Sequence, residues 1–151
     1  MGFNDNIPKL KPYQRSVSIV GVGATPFVRV LDDPDVDGMN EAELFAYAAR
    51  DAMRDAGVDG SDVEMYVHGQ AGPGWTSNFA TPNMHVANWI GMKGKASIHH
   101  SEACATGYVA IETAASVVAS GQYDLVLSGC IEMPYSIAYP TRVLTKRRFG
   151  T

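Results

Sequence analysis

The stretch from about Ala103 to Ser120 carries Val109, Ala110, Ile111, Ala114, Ala115, Val117, Val118 and Ala119. At the pitch of an α-helix these side chains point in every direction instead of forming one stripe, so such a helix must be covered on all sides. Short strand-like runs flank it, Ala96–His100 before and Asp124–Ser128 after, with Gly121 as a stop between. A single sheet built from short strands covers one side only. The other side requires a second layer, a second subunit or further chain.

The rest of the chain supplies the sheet. Val17–Gly23 (VSIVGVG) is β-branched, closed by glycines, and reads as a buried strand. Thr25–Gly38 holds prolines and several aspartates and reads as a loop. Asn40 is an expected N-cap with Glu43 three residues on, the pattern of a capping box. Phe45, Ala48, Ala49, Ala52 and Ala56 then recur at helical spacing, and Gly57 ends the helix. Val63–Gly69 alternates as a second strand. Residues 70–82 read as a loop, and a short helix is expected over Asn83–Ile90. Alternation of strands and helices predicts an α/β layer with a mainly parallel sheet. Residues 1–15 read as an extended arm and 16–151 as one domain.

Charge excludes some functions. With 12 basic against 16 acidic residues, the net charge of −4 argues against nucleic-acid binding, which needs a basic face. Lys146, Arg147 and Arg148 form the only basic cluster and read as a solvated end. No apolar run reaches the roughly 18 residues of a membrane span. The polar start lacks a signal-peptide core, so the expected compartment is the reducing cytoplasm. There the 2 cysteines, Cys104 and Cys130, serve packing or reactivity.

Cys104 stands where the apolar helix begins, in SEACATG. A thiol there feels the positive end of the helix dipole, which favours the thiolate, the form required of a nucleophile. Unpaired N–H groups near Cys104 and Gly107 are placed to bind an oxyanion, and Gly107 admits a close substrate or backbone. His99 and His100 are adjacent on a strand, so they face opposite ways, and His100 is the candidate to line the pocket. His68 ends a strand, His85 sits on the short helix, and Cys130 reads as packed. No spacing here matches a metal site, and a zinc centre is not expected. Gly21 and Gly23 resemble half of a dinucleotide-binding loop, but Pro26 follows and no helix begins there.

Three segments carry a family resemblance: Cys104-Ala105-Thr106-Gly107, Ser120-Gly121-Gln122-Tyr123-Asp124, and Gly129-Cys130-Ile131-Glu132-Met133. With the opening SIVGVGATPF and the alanine-rich AYAARDAMRDAG, the region from Val17 to Met133 resembles the N-terminal half of the thiolase superfamily, notably its sterol-carrier-protein branch. The resemblance implies a thiolase-like α/β half, normally part of a five-layer αβαβα fold with the nucleophile helix buried between two sheets. It implies acyltransferase chemistry on acyl-CoA, with Cys104 forming an acyl-thioester and Thr106 and Met133 lining the pocket. No cofactor is implied; coenzyme A enters as part of the substrate.

The activating histidine, the second acid/base residue and the oxyanion-hole side chain belong to the family's C-terminal half. This sequence does not contain them and is expected not to turn over alone. The implied partners are a second copy, a complementary C-terminal-half subunit, or a small zinc and OB-fold subunit. Two alternatives stay open: a retro-aldol lyase on acyl-CoA, and a non-catalytic or truncated partner subunit.

Overall fold

A computed structural model describes residues 13, 15–28, 33–36, 39–71 and 81–132. Most of the expected arm lies outside the described residues, as do Met133, Lys146, Arg147, Arg148 and the loop residues Trp75 and Phe79, which the sequence offers with Met84 as shaping the pocket. The elements are helix α1 (Glu41–Ala56), strand β1 (Met65–Gly69), helix α2 (Pro82–Ala87), strand β2 (Ala96–His100), helix α3 (Thr106–Ala119) and strand β3 (Val126–Cys130). A 3-10 turn, Ala103–Ala105, leads into α3.

The sheet is parallel, in the order β2-β1-β3. Its first connection steps from the centre to one edge, and its second steps back across the centre to the other edge. Right-handed crossovers going opposite ways put their helices on opposite faces. Helix α2 therefore joins α1 on one face, and α3 covers the other. The α1 face packs Phe45, Ala49, Met53, Tyr66, Val86 and Met92, whereas the α3 face packs Met65, Val67, Ala110 and Ala114. All of β1 is buried. Its expected alternation of inward apolar and outward polar residues gives way to burial on both faces, the normal state of a central parallel strand.

Helix α1 forms as its sequence requires. The Asn40 side chain accepts from Glu43 N at 3.0 Å while the Glu43 carboxylate accepts from Asn40 N at 2.8 Å. Gly57 closes the helix at φ 71°. Strand β2 has the expected bounds. Strand β3 starts two residues later than expected, because the Glu64 carboxylate takes the N–H groups of Asp124 and Leu125, the latter at 3.2 Å.

The expected strand Val17–Gly23 is corrected by the structure. No backbone hydrogen bond joins it to β3 among the described residues, and Ile19 and Val22 are 80% and 68% exposed. The segment lies instead along the alanine ridge of α1. A Cβ on Gly23 would sit 2.1 Å from Ala48 O, and one on Gly21 would sit 2.3 Å from Ala52 O. Arg15 pairs with Asp124 at 2.8 Å, and Val22 N donates to Asp55 at 3.0 Å. So held, the segment leaves a cleft of about 590 Å³ between itself and the outer edge of β3.

Helix α3 buries Thr106, Ala110, Ala114 and Ala119, while Tyr108 and Ile111 on its outer face stay 70% and 59% exposed. The surface left open by this sheet is the one that the all-round apolar pattern demands be covered. We expect the 151-residue chain to self-associate in light-scattering chromatography and Ile111→Glu to shift it towards monomer. A wild-type chain that stays monomeric at high concentration would contradict this.

Candidate functional site

Strand β1 is followed by α2 and strand β2 by α3, helices that pack on opposite faces of the sheet. Adjacent parallel strands whose connections part in this way open a crevice at their carboxyl ends. Gln70 N donates to His100 O at 3.0 Å as a last rung between these strands, and Ser101 Oγ donates to Ala71 O at 2.9 Å just beyond it. From there the chain climbs through Glu102 and the 3-10 turn into α3. Ala103 takes φ 49°, the only positive φ at a non-glycine residue among those described, in a region that an alanine adopts only when its surroundings impose it. Cys104 follows at once and is exposed. Among the described residues no side chain caps the start of α3, which leaves its first-turn N–H groups without a side-chain cap there.

Thr106 is 4% exposed. Its Oγ1 accepts from Glu102 N at 2.8 Å and donates to Ala103 O at 2.7 Å. Its hydroxyl thus lies beneath the turn that carries Cys104. Gly107 lies in α3 with no side chain between it and Cys130 Sγ. A Cβ there would stand 3.4 Å from that sulfur, and one on Gly69 would stand only 2.5 Å from it. Thus Cys130, though exposed as a residue, tucks its thiol against the ends of β1 and α3. Burial pushes this thiol above its usual pKa, and the nearby Glu132 charge adds to the rise. The Glu132 carboxylate accepts from Ala71 N, tying the end of β3 to the end of β1.

The histidines divide as the strand geometry requires. His100 faces α3, where its Nε2 hydrogen-bonds Thr113 Oγ1 at 2.9 Å, more than two turns along from Cys104. His99 faces the other way and donates to Gln70 O at 3.0 Å. Among the described residues, no group of three or more His, Cys, Asp or Glu side chains gathers as a metal site would. No helix of the described residues is long and apolar enough to cross a membrane.

Sequence reasoning missed a buried polar chain on the α1 face of β1. Tyr66, whose pKa burial drives upward, stays protonated and donates to His68 Nδ1. His68 Nε2 then donates to Gln70 Oε1 at 3.1 Å, and Gln70 Nε2 donates to Glu41 Oε1 at 3.4 Å. The signal was present in the spacing: 66, 68 and 70 share one strand face. Polar residues in a strand invite an outward placement, and only the central position of β1 overrules it.

The profile described as "Thiolase, N-terminal domain" matches residues 17–145. The chain belongs to the thiolase family. An acetyl-CoA acetyltransferase of Methanothermobacter thermautotrophicus is 29% identical over 127 residues, which cover 84% of this chain and 32% of that protein. The structure of an acetyl-CoA acetyltransferase from Syntrophomonas wolfei shares the fold, with a TM-score of 0.62 at 24% identity over 70% of this chain and 26% of that one. An Ltp2-ChsH2(DUF35) aldolase aligns with a TM-score of 0.54 at 25% identity over 82% of this chain and 31% of that one. The chain therefore spans about a third of the curated relative's length. The described sheet and helices are those of a thiolase N-terminal half.

Two measurements check the local chemistry. Iodoacetamide is expected to label Cys104 before Cys130, since the latter's thiol is packed and its thiolate disfavoured; faster labelling of Cys130 would count against the assignment. Burial holds His68 neutral, lowering its pKa from 6.5 to about 4, with His99 adding to the effect and the Gln70 contact opposing it. The unfolded chain thus binds the proton first, so stability should be full above pH 6.5 and decline as pH falls towards 4. The loss from this group reaches roughly 3 kcal/mol. Chemical denaturation at several pH values should show it, and His68→Gln should flatten that slope. An unchanged slope in the variant would refute the role.

Proposed function

We propose that this chain supplies the nucleophile half of a thiolase-type acyl-CoA acyltransferase. The observation that supports the reading is that Cys104 is exposed beyond the carboxyl end of β2, on the 3-10 turn that leads into α3. The Cys104 thiolate attacks the thioester carbonyl of an acyl-CoA. The carbonyl oxygen gains the negative charge, and backbone N–H groups about Cys104 and Gly107 receive it. Collapse of that intermediate expels the coenzyme A thiolate and leaves an acyl-cysteine. A second nucleophile, either coenzyme A or the α-carbon of another acyl thioester, then takes the acyl group and regenerates the thiol. The similarity to acetyl-CoA acetyltransferases supports short acyl groups and coenzyme A as the carrier.

Complete turnover needs acid/base groups supplied by a further domain, a second copy or a complementary subunit over the outer face of α3. The exposure of Tyr108 and Ile111 on α3 among the described residues supports such a cover. No resident cofactor is required by this chemistry. The similarity to an aldolase containing a DUF35 component favours a second reading, a retro-aldol lyase working with a small partner subunit. A lyase has no use for an acylated cysteine, so the two readings separate on one species.

With acetyl-CoA, intact-mass spectrometry should show gain of one acetyl group, mapped to Cys104 and absent in Cys104→Ser. An acetylated Cys130, or no adduct with any acyl-CoA even alongside the complementary half, would defeat the acyltransferase reading.

A further inference from the structure

The turn that presents Cys104 is not held by the regular bonds of either neighbouring element. Strand β2 ends at His100 and α3 begins at Thr106, and between them Ala103 sits at φ 49°. A positive φ costs an alanine steric energy, so something must hold it. The backbone bonds of the 3-10 turn contribute, Ala105 N donating to Glu102 O at 3.0 Å and Thr106 N to Ala103 O, and one side-chain hydroxyl adds to them. Thr106 Oγ1 accepts from Glu102 N at 2.8 Å and donates to Ala103 O at 2.7 Å, bridging the peptide groups on both sides of the strained residue.

The side chain that carries this hydroxyl is itself pinned. Thr106 is buried, and its methyl lies over the end of the central strand, where a Cβ on Gly69 would stand 3.0 Å from Cγ2. With the methyl fixed there, the hydroxyl points back at the turn. From the other side, Ser101 Oγ ties the same segment to Ala71 O at 2.9 Å.

We propose that Thr106 is the positioning residue of the site: its hydroxyl locks Ala103 in the left-handed conformation and so fixes where the Cys104 thiol is presented beyond the carboxyl end of β2. Thr106 touches neither substrate nor reacting atoms; it acts through the backbone of the turn. The proposal rests on the acyl-transfer reading for its consequence, but its structural content stands apart from that reading.

Two near-isosteric variants divide the side chain's parts. Thr106→Val keeps a methyl for the Gly69 surface and removes the hydroxyl; Thr106→Ser keeps the hydroxyl and removes the methyl. In the full chain, three quantities are compared: Glu102 amide exchange, acetyl transfer from acetyl-CoA to Cys104, and alkylation of Cys104 by iodoacetamide. Thr106→Val should speed Glu102 exchange and slow acetyl transfer by about 100-fold, the usual cost of a misaimed nucleophile. Alkylation, which demands little orientation, should change far less. Thr106→Ser should follow wild type in exchange and acetyl transfer. Wild-type acetyl transfer in Thr106→Val, or equal loss in both variants, would overturn the proposal.

If wild type itself takes no acetyl group, the acyl-transfer reading falls and the positioning role is decided by Glu102 exchange alone. Unchanged exchange in Thr106→Val then overturns it. If Thr106→Val fails to fold, Thr106→Ser decides: wild-type exchange and transfer support the lock, and loss of either refutes it.

Discussion

Gly69 ends the central strand without a side chain, and the start of α3 descends into the space left there. A Cβ at this point would collide with Cys130 Sγ and press on the Thr106 methyl, so the three elements that meet here could not approach so closely around any other residue. From this contact follow the depth of α3 in the sheet, the burial of Thr106 and the height at which Cys104 emerges. The packing of β1 on α3 through Met65, Val67, Ala110 and Ala114 sets the helix direction, and the glycine sets where it begins.

The same strand carries a different kind of order on its other face. Tyr66, His68 and Gln70 form a chain of hydrogen bonds beneath α1, with the Phe45 ring 5.1 Å from that of His68. Buried polar groups hold a strand end firmly only when each finds a partner. Here the chain grips Gln70 through its side chain, while His99 grips its carbonyl and Ser101 and Glu132 hold the next peptide. The ends of all three strands are thereby tied together just below the Cys104 turn. A rigid base and a strained, presented thiol are complementary halves of one arrangement.

Much of this was legible in the residues, and the reasons for success and failure differ by element. The reciprocal bonds of Asn40 and Glu43 are local, so a four-residue pattern suffices to foresee them. The all-round apolar character of α3 is also local, and it located both the cysteine and the uncovered face. Val17–Gly23 misled because its β-branched run reads as a buried strand, whereas its glycines are fitted to the backbone of α1, a partner that no single-segment pattern names. The start of β3 moved because Glu64, some sixty residues away, occupies two of its N–H groups. The Thr106 lock stayed hidden for a similar reason: its meaning depends on Gly69, and only the folded sheet brings those residues together.

The family resemblance and the packing argument agree because both concern the same helix. The most direct test is a crystal structure of the protein trapped with a reactive acyl-CoA analogue. Acyl transfer at Cys104 requires electron density continuous with its Sγ, with the acyl oxygen turned towards the first N–H groups of α3. Density on Cys130 instead, or an acyl group directed away from the start of α3, would contradict it.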